Sequence, residues 1–283
     1  MGFFDWMQKI DRRWLYLLVF MSVAIPVVKP MGLPISIGKE TEGFFAAIDA
    51  LNPGDVMILT PEYGAAQVPE VGSMTTSAFR QAMNKGVRVL IFGVWPDGQG
   101  PTIAQGACEA ISDELGKTYG VDWVNLGYKP GLDVTLKKMV DDVWEAAVGV
   151  DIKGNALESL PMMQDVRKAA DCKLVANINI HGFGLEKTMA FIGIPTGMTV
   201  IGGNGAAGIT EVIPYFRSGQ LQGLLMGMRG AAEYEILVQK PGRAVVGMDA
   251  QSAAHVTIII FVILANIGYL LEKRTKAAKA AGR

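Results

Sequence analysis

The chain predicts an α/β fold, a mainly parallel sheet with helices on both faces, flanked by one N-terminal and one C-terminal transmembrane helix. Three observations carry this. Short, continuous apolar runs alternate with helical patterns through the middle of the chain, as expected for strands buried on both faces. Apolar stretches Trp14–Val28 and His255–Leu271 bracket that middle. Basic residues lie on the outer side of both: Lys9, Arg12 and Arg13 before the first, and Lys273, Arg274, Lys276, Lys279 and Arg283 after the second.

The first apolar stretch is short. Fifteen residues at ~1.5 Å each reach only ~22 Å of a ~30 Å hydrocarbon core. Pro30–Ile35 could extend it past a snorkelling Lys29. Phe3, Phe4, Met7, Ile10 and Trp14 share one helical face, which reads as an interfacial helix leading into the span. A cleaved signal peptide competes, through Ser22-Val23-Ala24 and a faint twin-arginine pattern at Asp11-Arg12-Arg13-Trp14. Pro26 just past that cut favours an uncleaved anchor. The positive-inside tendency then puts both termini in the cytoplasm and the domain between outside it. The expected organisation is 1–36 as interfacial helix and anchor, 37–250 as the extracytoplasmic domain, and 251–283 as the second span with its basic tail.

Within the domain, strands are expected at Asp55–Thr60, Val87–Val94, Val121–Leu126, Lys173–Ile180 and Met198–Ile201. Helices are expected at Thr75–Lys85, Thr102–Tyr119, Val134–Val148, Leu185–Phe191 and Gln220–Leu237. Strand–helix alternation of this kind is Rossmann-like. Such sheets bind ligands at the carboxyl ends of their strands. Loops there carry Glu62 and Tyr63, then Trp95 and Asp97, then Tyr128 and Lys129, then His181, and lastly Asn204 in a Gly-rich run. These eight residues form the expected ligand-binding rim.

Several chemistries can be weighed on that rim. Gly202–Gly208 matches neither G-x-x-x-x-G-K-[ST] nor a properly placed G-x-G-x-x-G, which disfavours a nucleotide. No G-x-S-x-G elbow occurs, which disfavours the commonest hydrolase reading. If the rim were catalytic, Glu62, Asp97, Lys129 and His181 would carry the chemistry, as acid–base groups and ligand contacts. Glu62 and Asp97 have the plainer reading of capping or solvated carboxylates, and His181 that of a hydrogen-bonded loop residue. Net charge is −1, with 26 basic and 27 acidic residues, so no nucleic-acid partner is expected. Two cysteines (Cys108, Cys172) and two histidines (His181, His255) make no zinc pattern. The cysteines could pair in an oxidising exterior, but they read first as buried thiols. No cofactor and no metal is expected.

Gly219, Gly223, Gly227 and Gly230 recur at helical spacing. Glycine costs ~1 kcal/mol in a helix relative to alanine, so the stripe suggests close approach by another backbone. Asn266, inside the second apolar stretch, suggests the same for a span. These five are the expected interface residues, for self-association or for other membrane subunits.

Two stretches carry a resemblance. Tyr119-Gly120-Val121-Asp122-Trp123-Val124-Asn125-Leu126-Gly127-Tyr128-Lys129-Pro130-Gly131 is one. Ser218-Gly219-Gln220-Leu221-Gln222-Gly223-Leu224-Leu225, with Arg229-Gly230-Ala231-Ala232-Glu233-Tyr234-Glu235, is the other. Together they resemble a family of prokaryotic membrane-anchored proteins to which no activity is attached. The resemblance implies the anchored architecture and carries over no catalytic residue. The function expected is a membrane-tethered scaffold or accessory subunit that binds a ligand or partner. The alternative is an enzyme acting on a membrane-proximal small molecule or lipid-linked substrate.

Overall fold

A computed structural model describes residues 11–96 and 99–281, with the side chains of Phe183 and 275–281 left out. Asp97 and the expected interfacial helix before Asp11 lie outside the described residues. The chain divides into two compact units. Ile35–Val245 forms one, and the terminal segments, up to Pro34 and from Val246, form the other.

The larger unit is built on six parallel strands: β1 (Val56–Glu62), β2 (Arg88–Gly93), β3 (Trp123–Tyr128), β4 (Leu174–Asn179), β5 (Thr199–Asn204) and β6 (Gly223–Met226). Their order is β3-β2-β1-β4-β5-β6. The chain winds outward from β1 to β3, then returns to build β4, β5 and β6 on the other side. The topological switch point therefore lies between β1 and β4, where doubly wound sheets open their binding crevice. Every residue of β1 and β4 is buried. That burial explains why both read as continuous apolar runs rather than alternating ones.

Helices cover both faces in two groups that pack among themselves. One group is α2 (Lys39–Asp49), α3 (Ser73–Lys85), α4 (Gly100–Glu114) and α9 (Gly227–Leu237). The other is α5 (Asp133–Asp141), α6 (Val143–Ala146), α7 (Gly182–Thr188) and α8 (Ile209–Arg217). The single helix expected over Val134–Val148 breaks at Asp142 (φ −154°, ψ 102°), whose side chain accepts from the Glu145 N–H and caps α6. Asp142 thus does at a cap what it does poorly inside a helix.

The glycine stripe is corrected. Gln220–Leu237 is not one helix. Gly219 (φ +78°) closes a turn, Gly223 starts β6, and Gly227 (φ +57°) bends the chain into α9, which holds Gly230. Close backbone approach does occur, but inside the unit. A Cβ on Gly223 would lie 2.0 Å from the Phe44 nitrogen of α2, and one on Gly230 would lie 2.9 Å from the Leu225 carbonyl carbon.

Buried carboxylates tie the end of this unit together. Glu233 accepts from the Gly38 N–H, the Thr41 hydroxyl and Arg229 at 2.9, 2.7 and 2.8 Å, which caps α2. Glu235 accepts from the N–H groups of Gly242, Ala244 and Val245 at 2.8, 3.1 and 3.0 Å, where α10 (Arg243–Ala281) begins. Both glutamates belong to the Arg229–Glu235 stretch singled out in the sequence, so that stretch is structural. The cysteines are free and buried. Burial pushes the Cys172 thiol up to about 12 and Cys108 higher still, which leaves both unreactive at neutral pH.

In the terminal unit, α1 spans Arg12–Val28 and α10 continues from Val246. Among the described residues, one helix is long and apolar enough to cross a membrane: α10, over Arg243–Arg274, of which only 6% of the apolar window is buried. Of the two expected spans, only the C-terminal one has a helix of that length and composition among the described residues. The 17 residues of α1 reach about 25 Å, short of a ~30 Å core. Asp249 on α10 accepts from the N–H groups of Met31, Gly32 and Leu33 at 2.7, 2.8 and 3.1 Å, which fixes the segment after α1. Asn266 is exposed and its amide donates to the Val262 carbonyl one turn earlier at 2.8 Å, so its own helix satisfies it.

Candidate functional site at the switch point

Register places three polar residues in one row across the carboxyl ends of neighbouring strands. Glu62 ends β1, Asn179 ends β4 opposite it, and Asn204 ends β5 opposite Asn179. Two residues earlier, Thr60 and Asn177 form a second row on the same face, because strand side chains alternate. The lower row is satisfied internally. The Asn177 amide donates to Thr60 Oγ1 at 2.7 Å and to Thr188 Oγ1 at 3.1 Å, and its oxygen accepts from Asn179. The upper row is not. Asn179 Oδ1, Asn204 Oδ1 and Asn204 Nδ2 are buried without a hydrogen-bond partner among the described residues. Leaving a buried polar atom unpaired costs ~1–3 kcal/mol. Three such atoms at the switch point form a demand that the protein itself does not meet.

Glu62 closes the row on the β2 side. Its carboxylate accepts from the Val94 N–H at 3.0 Å and the Trp95 N–H at 2.8 Å. Burial pushes its pKa up to about 7, against the lowering effect of those two bonds. A register shift between Ile91 and Gly93 lets the β2 end turn toward it. Three narrow clefts meet at Glu62. One is shared with Tyr63, Trp95 and Tyr128, one with Trp95, Asn179, His181 and Gly184, and one with Trp95, Asp133, Leu136 and Lys187. The latter two hold about 10 Å³ each, at the lower limit of what one water needs.

The structure thus brings together Glu62, Tyr63, Trp95, Tyr128, His181 and Asn204 of the expected rim, and Asp97 lies outside the described residues. Lys129 is elsewhere. Its ammonium donates to the Ala147 and Val150 carbonyls at 2.8 and 3.2 Å, and burial lowers its pKa. It caps the turn after α6 and holds the β3 loop. Tyr63 is partly diverted too, because its hydroxyl is bonded to Thr75 on α3 at 2.9 Å.

The Gly-rich loop after β5 does not offer a phosphate cradle. The Gly205 N–H donates to the Asn179 carbonyl at 2.9 Å, that of Ala206 to Glu70 at 2.6 Å, and that of Gly208 to the Gly205 carbonyl at 3.0 Å. A free anion would have to displace the Glu70 carboxylate from one of these donors and backbone carbonyls from the other two. No protein-family model matches this chain, and neither does any curated protein. The site must therefore be read from its own geometry.

Sequence reasoning passed over Asn177, Asn179 and Thr60. The signal was present in Lys173–Ile180 (KLVANINI), where asparagine occupies alternate positions of an otherwise apolar strand. Alternation there marks one polar face in a strand whose two faces are both covered.

Proposed function

We propose that this chain is a membrane-tethered binding module whose ligand is a small, uncharged polar molecule held at the switch point. The observation that carries the reading is the unpaired amide of Asn204 beside the unpaired oxygen of Asn179. Together with Glu62 they offer three acceptors and one donor in a single row. That set suits a hydroxyl- or amine-bearing ligand and suits a phosphate poorly. Binding would widen the clefts around Trp95, with His181 at the mouth.

The test is equilibrium binding of polyols, sugars and amino alcohols to the full chain. Asn204→Leu, which keeps the bulk and removes both orphan atoms, should abolish capture of any ligand that binds wild type, while the fold is kept or gains stability. Ligand capture that is unchanged in Asn204→Leu would remove the switch point as the site.

An enzymatic reading keeps one specific support, which is a buried Glu62 titrating near neutrality, as a general acid–base group requires. Turnover of a bound polyol or sugar that stops in Glu62→Gln would establish it.

The reading includes two spans, cytoplasmic termini and an external domain acting as scaffold or accessory subunit, alone or in an assembly. Basic flanks at both ends and the apolar, outward-facing surface of α10 support it. Both native cysteines are buried, so a cysteine placed at exposed Glu158 reports topology cleanly. A membrane-impermeant maleimide should label Glu158→Cys in intact spheroplasts. Labelling only after permeabilisation would invert the topology.

A further inference from the structure

A second cavity lies away from the amide row, between α3 and α4 on the opposite helix layer. It has a volume of about 340 Å³, within the usual range for small-molecule sites. At ~30 Å³ for a water-sized group, it holds roughly eleven heavy atoms, too few for a two-chain lipid.

Its walls differ in chemistry. One wall is apolar, made by Ile103, Ala104, Ala107 and Ile111 along one face of α4. The facing wall carries the hydroxyls of Ser73 and Ser77, one turn apart on α3. Both serines are more than nine-tenths buried. Neither hydroxyl has a hydrogen-bond partner among the described residues, so both are left facing the cavity. One turn further along α3 the cavity turns cationic, at Arg80, Lys240 and Arg243. Arg80 and Lys240 share one carboxylate, Glu114, at 2.6 and 2.9 Å, and together hold it down to about 2. Arg243 has no acidic partner among the described residues. Glu235 also borders the cavity, but its oxygens are taken up by three backbone N–H donors. The cationic end is thus short of anions, the middle is short of hydrogen-bond partners, and the far wall is apolar.

We propose that this cavity binds a single-chain, medium-length carboxylate carrying a hydroxyl close to its head group. The carboxylate sits at Lys240 and Arg243. Ser77 lies about one turn along α3 from Arg80 at the cationic end, ~4.5 Å at 1.5 Å per residue, so its hydroxyl meets an oxygen borne close to the head group. The alkyl chain lies on Ala104 and Ala107. This site is independent of the amide row, although Tyr63 borders both regions.

Equilibrium dialysis of the full chain in phosphatidylcholine nanodiscs tests it, with empty discs subtracted. The probe is 3-hydroxyoctanoate, which has eleven heavy atoms. Saturable binding is expected at about one probe per chain. Octanoate should bind ~5-fold more weakly, for one lost hydrogen bond. Octane-1,3-diol should bind at least ~10-fold more weakly, for the lost charge. The exposed double variant Lys240→Gln/Arg243→Gln should lose ~10-fold, and Ala107→Phe, which fills the cavity, should lose binding altogether. Glu62→Gln should bind as wild type does. Absence of saturable binding would overturn the proposal, as would equal affinity for the diol or unchanged binding in the double variant. The double variant sits on exposed side chains, so it remains decisive if Ala107→Phe does not fold.

Discussion

Replacing Gly223 by alanine should cost the domain ~3 kcal/mol or more, a large share of the ~5–15 kcal/mol that a domain has. A Cβ there would lie 2.0 Å from the nitrogen and 2.3 Å from the Cα of Phe44, both backbone atoms of α2. No rotamer relieves a clash between a Cβ and backbone, so α2 itself must move. It is poorly placed to do so. Gly43 makes the same approach from the other side, where a Cβ would lie 2.4 Å from the Gln222 oxygen, and Phe44 is fully buried with its ring edge-on to Tyr234 at 5.0 Å. Gly106→Ala is the matched control, since nothing lies within 4 Å of its Cβ position on α4. It should gain up to ~1 kcal/mol from helix propensity. Urea unfolding of the two variants compares them directly. Equal midpoints would mean that α2 rides loosely on β6.

The sheet was legible because its physics is local. Continuous apolar runs such as Val87–Val94 and Lys173–Ile180 give buried parallel strands whatever lies around them. The sixth strand was not legible, because β6 is four residues long and sits in a glycine pattern with helical spacing. Two left-handed residues, Gly219 and Gly227, break that pattern, and left-handedness leaves no trace in residue type beyond glycine itself.

The rim was legible in part. Loop position after a strand puts Glu62, Trp95, Tyr128 and His181 at one sheet edge. Side-chain direction is decided by packing, and packing turned Lys129 onto the Ala147 and Val150 carbonyls. Asn204 was reached through the Gly-rich run, but Asn177 and Asn179 lie inside β4, where reading by loops does not look. Their pairing across β4 and β5 depends on strand order, which no local pattern encodes. The first apolar stretch shows a further limit. Its composition suits a membrane, but α1 runs through Pro26 and ends at Val28, where Lys29, the residue before Pro30, is the extended C-cap.

Glu62→Gln should erase a pH dependence of stability that wild type shows between pH 5 and 8. Glu62 has an ordinary pKa of 4.5 when the chain is unfolded and about 7 when it is buried at the switch point. Between those values the folded protein holds a proton that the unfolded chain has released, so stability falls as pH rises. The contribution is complete below 4.5 and gone above about 7. A shift of this size corresponds to about 3 kcal/mol across the window. Glutamine has no proton to lose, and its oxygen can still accept from the Val94 and Trp95 N–H groups. The variant should match wild type near pH 5 and exceed it at pH 8. At the same clefts Asp133 and Lys187 pair with each other at 2.7 Å, and His181 is exposed at the mouth. Urea unfolding of both proteins at pH 5 and pH 8 measures the difference. A wild type equally stable at both values, or a variant that keeps the slope, would show that Glu62 stays ionised in the folded state. Ligand capture should then be independent of pH. If the slope is as described, capture at the amide row should change across the same window, because protonation turns Glu62 from an acceptor alone into a donor as well.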